Sequence, residues 1–383
     1  MNDSRLVTID SLGKIVTGST PPAAHPEWFA DSGMPFVTPS DIQDGVRFVR
    51  TSRFLSPLGS EAMQKRVVPA GTVCFVSIGS TIGKMCTTTT PSVTNQQINS
   101  VVVDDTIADP TFVYYALSQC AGLLKAIAGG SATPILNKSA FANVSLNILP
   151  IGEQRTIGIL LNALDYKIES NRRTVKGILA LGHALYERAL TSGSRQTLVG
   201  EIAEFHNRRR IPLSSLEREA RPGNIPYYGA TGIFGYVDDF LFNEVLVLVG
   251  EDGSVVRDDG GPVTQYIWGK AWINNHAHPL TGRGISNELL YLALDRSDVR
   301  PLVTGAVQPK ISMGNLKSLA VDLPLESEQA PLESMLSSLF SVLRCRSDEV
   351  CQLEQLRDTL LPELLSGRIR GPRTCEEVKG GFA

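Results

Sequence analysis

The chain has 383 residues, 42% of them hydrophobic and 20% charged, and a net charge of −3. That is the composition of an ordinary globular protein, too long for a single core and suited to two domains. No apolar run reaches the roughly 18–20 residues needed to cross a bilayer, which excludes a helical membrane protein.

The N-terminus, Met1-Asn-Asp-Ser-Arg5, carries no apolar leader. Cysteines 74, 86, 120, 345, 351 and 375 form no Cys-x-x-Cys pair and have no histidine at zinc spacing, so they read as reduced, packed thiols of a cytoplasmic protein. By segment, residues 1–150 sum to zero, 151–195 to +3, 196–326 to −4 and 327–383 to −2. No stretch is a basic tail, so any contact with nucleic acid falls to local clusters or to a partner.

The first body, residues 1–150, begins with a short strand, Leu12-Gly-Lys-Ile-Val-Thr-Gly18, that enters a Gly-Ser-Thr-Pro-Pro turn. β-Branched runs follow at Phe36-Val-Thr38, Gly71 to Ser77 and Ile98 to Val103, broken by Gly and Pro turns. A helix is expected over Pro110 to Ser118, then a loop over 129–136 and a strand over Val144 to Leu149.

From Pro150-Ile-Gly-Glu-Gln154 onward, apolar residues recur at Ile157, Leu160, Leu161, Leu164, Ile168, Val175, Leu179 and Leu185, and the run stops at Gly193. Spacings of three and four predict one long amphipathic helix with a glycine stop, within residues 151–195. From Glu153 to Leu190 it would be about 57 Å long at 1.5 Å per residue.

The second body, residues 196–324, repeats the order of the first. Leu198 to Ala203 answers the first strand, Ile225 to Gly232 the Phe36 region, and Glu244 to Gly250 the run at 71–77. Trp272-Ile-Asn-Asn-His276 answers Val93 to Ile98, Leu289 to Leu294 the first body's helix, and Gly305 to Ile311 the loop near 130. Pro324-Leu-Glu-Ser-Glu-Gln329 then opens a second long helix, within residues 325–370, with Leu332, Leu336, Leu339, Leu343, Val350, Leu353, Leu356, Leu360 and Leu364 before Gly367. The leading prolines and the closing glycines are each 174 residues apart. The predicted class is therefore α+β, two β-rich bodies in tandem, each followed by a long helix. The apolar stripes predict an antiparallel pair within the chain, Leu160, Leu164 and Ile168 meeting Leu353, Leu356 and Leu360. Residues 371–383 have no periodicity and read as a loose tail.

Several polar constellations could carry chemistry. Gly79-Ser-Thr-Ile-Gly-Lys84 has one residue too few for a phosphate loop and Met85 where a hydroxyl should hold magnesium, so it reads as a tight turn displaying Ser80, Thr81 and Lys84. The acidic turns Val237-Asp-Asp239 and Glu251-Asp-Gly253 read as solvated turns, the latter also able to fix a recognition loop. Asn274-Asn-His276-Ala-His278 lacks further zinc ligands. Asn274, Asn275 and His276, like Gln96 and Gln97 in the first body, either read bases or hydrogen-bond locally; both accounts stand. Arg208, Arg209 and Arg210 form the densest basic cluster, either a solvated run or a phosphate contact. No Asn/Asp-Pro-Pro-aromatic, Gly-x-Ser-x-Gly or His-Glu-x-x-His motif occurs, so the chain reads as catalytically empty.

These elements in this order, with Phe36-Val-Thr-Pro-Ser-Asp-Ile42, Ile78 to Lys84, Asn95-Gln-Gln97, Tyr227-Tyr-Gly-Ala-Thr-Gly232 and Asn274-Asn-His276, resemble the specificity subunit of type I restriction-modification systems over residues 1 to about 370. The resemblance implies two target recognition domains, each reading one half of a split double-stranded DNA site, held in pseudo-twofold arrangement by the paired helices. It implies two modification (methyltransferase) subunits and, in the full enzyme, restriction/translocase subunits as partners. S-adenosylmethionine, ATP and magnesium would sit on those partners and none on this chain. It places Thr38, Ser40, Asn95, Tyr227, Tyr228 and Thr231 among the DNA-contacting candidates. The rival readings are a two-headed module for a non-DNA ligand such as a glycan, and the recognition part of a self-sufficient methyltransferase.

Overall fold

The computed structural model describes residues 4–128, 135–305 and 308–369. The expected tail from 371 onward, and the parts of the two matched loops at 129–134 and 306–307, lie outside them. The chain divides into two compact units. One comprises the described residues up to 169 with those from 351 on; the other is residues 170–350. The division falls inside both long helices, so each helix gives part of its length to each unit.

The first unit holds three sheets. A four-stranded sheet runs Gly13–Thr17, Ile98–Val103, Val73–Val76, Met85–Thr87. A five-stranded sheet runs Phe29–Ala30, Phe54–Leu55, Met34–Val37, Ser92–Thr94, Val67–Val68, with a parallel step that sets Phe36 beside Val93. Arg5–Thr8 pairs with Ser145–Ile148. The second unit repeats the plan. Ala203–Phe205, Ala277–Gly282, Leu246–Gly250 and Thr264–Ile267 form one sheet. Ile233–Val237, Ile225–Tyr228, Lys270–Ile273 and Phe242–Asn243 form the next, with Tyr227 parallel to Trp272. Ser194–Leu198 pairs with Ala320–Pro324.

Two expected elements differ. Leu198 to Ala203 is not one strand. A strand ends at Leu198, residues Val199–Ile202 form a helical turn, and a new strand starts at Ala203. Val199 and Ile202 are both buried, and a spacing of three places two side chains on one side only in a helical turn. The helix from Pro110 continues to Ala128, because the ten residues after Ser118 are mostly good helix formers that outweigh Gly122.

The long helices span Ile151–Thr191 and Glu326–Leu365. Each is entered through a glutamine that turns back on the chain. Gln154 Nε2 donates to the Leu149 carbonyl at 2.7 Å, and Gln329 Nε2 donates to that of Pro324 at 2.8 Å. Gly193, at φ +125°, and Gly367, at φ +68°, supply the left-handed backbone just past each end.

In the first unit, Ile157 and Leu161 of the first helix join Leu361 and Leu364 of the second in one core with Phe75, Phe112 and Phe141. In the second, Ile178, Tyr186 and Ala189 join Leu332, Leu336, Phe340 and Leu343. Each such leucine contributes about 1.5–3 kcal/mol by burial. Of the predicted stripe, Ile168 is buried, Leu160 and Leu360 pack against the core, and Leu164 and Leu353 are half-buried. Leu356 is a correction: it is 47% exposed. The inward row of the second helix runs Leu353, Arg357, Leu361, Leu364, so a charged residue occupies the place assigned to Leu356.

Arg357 faces inward because a carboxylate waits for it. Asp165, 4% exposed, accepts from Arg47 Nη1 at 2.9 Å and from the Tyr115 hydroxyl at 2.6 Å, and pairs with Arg357 at 3.4 Å. Arg47 also donates to Asn162 and Thr111. Burial and the adjacent Asp165 charge push the Tyr115 phenol above its usual range, so it stays a donor. Asp165→Asn leaves two buried guanidinium groups short of their counter-charge and is expected to lower the unfolding free energy of the full chain by about 3 kcal/mol or more. Urea titration measures it; a loss below about 1 kcal/mol would mean that the site is effectively solvated.

Candidate nucleic-acid interface

Where the parallel strands of each five- or four-stranded mixed sheet end, the chain makes the same tight turn. In the first body the Asn95 N–H donates to Val37 O at 2.8 Å, and Asn95 Oδ1 accepts from the Gln97 N–H at 2.8 Å. In the second, the Asn274 N–H donates to Tyr228 O at 3.0 Å, and Asn274 Oδ1 accepts from the His276 N–H at 2.8 Å. The middle residue of each turn, Gln96 or Asn275, is exposed. A second strand end braces each turn at one backbone position. The Ser77 N–H donates to Gln97 O at 2.8 Å, and the Glu251 N–H donates to His276 O at 2.8 Å. The backbone is repeated while the side chains differ.

Around the first tip, Thr20 accepts from Asn95 Nδ2 at 3.1 Å and donates to Gln96 Oε1. Ser80 is exposed and Thr81 half-buried in a turn between two antiparallel strands, Val73–Val76 and Met85–Thr87. A phosphate loop would lead into a helix instead. Lys84 turns back toward Ile42 O at 3.4 Å and Asp44 at 3.8 Å. Thr38 is buried. Its N–H and hydroxyl both donate to Asp41 at 2.7 Å, while Ser40 beside it stays exposed.

Around the second tip, Glu251 is the charge centre. Burial alone would raise its carboxyl, but Arg210 at 2.7 Å and Lys310 at 3.1 Å outweigh that and hold it below its usual range. His278 is fully buried, and its pKa is lowered chiefly by that burial. The Ile311 carbonyl can only accept, so His278 Nε2 carries the proton, at 2.8 Å; Nδ1 then accepts from Asn207 Nδ2 at 2.7 Å. Both ring nitrogens are spent inside the fold. His276 binds the Asp252 carboxylate. Among the described residues, no group of three or more His, Cys, Asp or Glu is placed to hold a metal ion.

Several expected surface residues are turned to structural work. Tyr227 is 1% exposed and its hydroxyl accepts from the Leu213 N–H at 2.9 Å, so it offers a base no surface. Its strand position faces the core, which period-two alternation of the adjacent tyrosines left undecided. Asn274, at 4% exposure, serves the turn. Arg209 donates to Glu244 at 2.7 Å and lies 4.0 Å over the Phe242 ring. Arg210 is half-buried against Glu251, Asn275 O and Ala277 O. Arg208, Thr231 and Asn275 are exposed; Tyr228 and His276 are half-buried.

Sequence reasoning missed Thr20 and the exposed aromatics Phe234 and Tyr236, each 56% exposed on the edge strand Ile233–Val237. The Phe234 ring lies against Gly229, where an added Cβ would come within 2.1 Å of it. The alternation Phe234-Gly-Tyr236 was the available signal, since it places both rings on one side of the strand.

The profile of the type I restriction modification DNA specificity domain family matches residues 1–179 and again 196–348. The chain belongs to this family. The specificity subunit of the HindI type I restriction enzyme of Haemophilus influenzae is 34% identical over 43% of this chain and 37% of its own length, so this match spans little more than a third of that relative. The MjaIX specificity subunit of Methanocaldococcus jannaschii is 20% identical over 94% of this chain and 92% of its own. The crystal structure of the type I restriction-modification S subunit from M. genitalium superposes with a TM-score of 0.62 at 20% identity, covering 97% of each chain; it shares the fold.

Within the family scaffold, the buried turn asparagine separates cleanly from its exposed neighbour. Asn274→Ala strands the His276 N–H and is expected to cost about 1–3 kcal/mol of stability, whereas Asn275→Ala leaves the urea midpoint of the full chain unchanged. Equal midpoints for the two variants would contradict this division.

Proposed function

We propose that the chain is the non-catalytic DNA-recognition subunit of a type I restriction-modification enzyme, each body reading one half of a bipartite duplex site. The observation that carries this reading is the pair of tips, alike in backbone and different in side chain. Gln96 with Ser77 and Thr20 stands at one, Asn275 with Glu251 and Arg210 at the other. A protein that reads two unrelated half-sites needs this combination, one scaffold presenting two donor–acceptor patterns to base edges in the major groove. The long helices complete it. A 41-residue helix is about 60 Å long at 1.5 Å per residue, more than the roughly 34 Å of one DNA turn. In this reading the helices pair antiparallel as a coiled coil, hold the two heads in pseudo-twofold arrangement, fix the unread gap and dock two methyltransferase subunits. Restriction/translocase subunits join in the full enzyme. S-adenosylmethionine, ATP and magnesium belong to those partners, and the complex works in the cytoplasm.

Two measurements test the reading. Replacing residues 197–324 with the matching segment of a relative of different target is expected to change one half-site and leave the other and the gap intact. Mapping modified bases in DNA from cells carrying the hybrid enzyme decides it, and a change in both halves would refute separable heads. Arg208 and Arg209 are both exposed, but Arg209 is held by Glu244 at 2.7 Å, which makes Arg208 the arginine to test. Arg208→Ala, assembled with its methyltransferase partner, is expected to weaken all duplexes alike and reduce the slope of affinity against salt by about 1. Loss confined to one base pair would instead make it a base reader.

A further inference from the structure

Register matches the two tips, and it gives Thr20, which no basic or amide cluster contains, and Arg210 of the basic cluster the same place beside them. In the first body, Thr17 closes its strand opposite Asn99 and donates to Asn99 Oδ1 at 2.8 Å. In the second, the matching strand ends at Phe205, and Asn207, two residues on in a 3-10 turn, reaches His278 Nδ1 at 2.7 Å, where His278 matches Asn99 in the register of the central strand. Three residues beyond each stands a side chain that folds back over the tip. From Thr17 this is Thr20, bonded to Asn95 and Gln96. From Asn207 it is Arg210, whose Nη1 donates to Asn275 O at 3.1 Å, Ala277 O at 2.8 Å and Glu251 at 2.7 Å.

The hydrogen bonds at the first tip have one direction. The Gln97 N–H can only donate, so the atom of Asn95 that faces it is oxygen, and Asn95 presents its nitrogen to Thr20. The Thr20 hydroxyl accepts there and gives its own proton to Gln96 Oε1. That bond uses one of two lone pairs on Oε1 and neither proton on Nε2. Gln96 is left as an exposed, pre-oriented acceptor and donor, the pair that meets the N6 amino group and N7 of adenine in the major groove. Asn275, exposed at the same step of the second tip, carries the same carboxamide on a backbone clamped by Arg210.

We infer that Thr20 and Arg210 are the positioning residues of the two reading tips, and that each tip presents its carboxamide, Gln96 or Asn275, to an adenine. The inference rests on the proposed DNA-reading function and reassigns Arg210 from phosphate contact to tip geometry.

The test uses the full chain assembled with its methyltransferase subunits. Selection from a pool of randomised duplex DNA first defines the preferred site, and binding is then measured on duplexes changed one base pair at a time. Thr20→Val keeps the shape and removes the hydroxyl. It is expected to reduce discrimination at a single A·T pair in one half-site roughly tenfold, at the pair that Gln96→Ala also relaxes, with the other half-site unchanged. Thr20→Ser restores it. Arg210→Gln does the same at the pair that Asn275→Ala relaxes, in the other half-site. If Thr20→Val weakens all duplexes equally, or relaxes a different pair from Gln96→Ala, the positioning role is wrong while the DNA-reading function stands. If the unaltered assembly selects no sequence from the pool, the function itself fails.

Discussion

A single carboxylate decides what the long helices are for in the first unit. Asp165 lies on the first helix, and its oxygens are shared by Arg47 and Tyr115 of the body and Arg357 of the second helix. Taking such charges out of water costs several kcal/mol per ion, and only a complete set of partners offsets that cost. The arrangement is therefore stable when body and both helices are present together and unfavourable with any of them removed. The helices are not a stalk attached to finished domains; they complete the body's polar network as well as its apolar core.

The second unit solves the same problem with different residues. Glu288 receives the Tyr266 hydroxyl at 2.6 Å and Arg344 of the second helix at 3.2 Å. Asp295 takes Thr264 at 2.6 Å, Arg257, and His183 of the first helix at 3.2 Å. Burial would raise the Asp295 carboxyl, but those bonds win and hold it at about 2. That two unlike networks anchor equivalent helix halves shows which part of the repeat is constrained. Docking is required, while the residues that achieve it are free to differ so long as each buried charge finds its partners.

This explains what could be read from the sequence. The strands were legible because β-branched runs and turn residues recur in the same order, and the helices because their leucines keep a period near 3.6 for eleven turns or so. Asp165 and Arg357 were not, since a charged residue in an apolar stripe looks like an interruption until its partner from a distant segment is known. Leu356 was misplaced for that reason alone. At the tips the error ran the other way. Arg209, Arg210, Asn274 and Tyr227 are residue types that contact nucleic acid elsewhere, and composition gives no hint that Glu244, Glu251, the His276 N–H and Leu213 already claim them. Polar type names the bonds a side chain can make; burial decides whether any remain.

What remains at the tips is a division of labour that follows from backbone hydrogen bonding. The bonds of the turn asparagines and of the bracing strand ends fall on the residues either side of the tip's centre, so the backbone is held without the side chain of Gln96 or Asn275. A Gln or an Asn, backed by a hydroxyl or a guanidinium, can then be exchanged without rebuilding the scaffold. The near-neutral charge fits this design. A chain that spent its arginines on phosphates would bind all duplexes strongly and gain little from a single base contact. Here Arg209 and Arg210 are paired with Glu244 and Glu251 within the fold, and the carboxamides of Gln96 and Asn275, the proposed base readers, stay exposed.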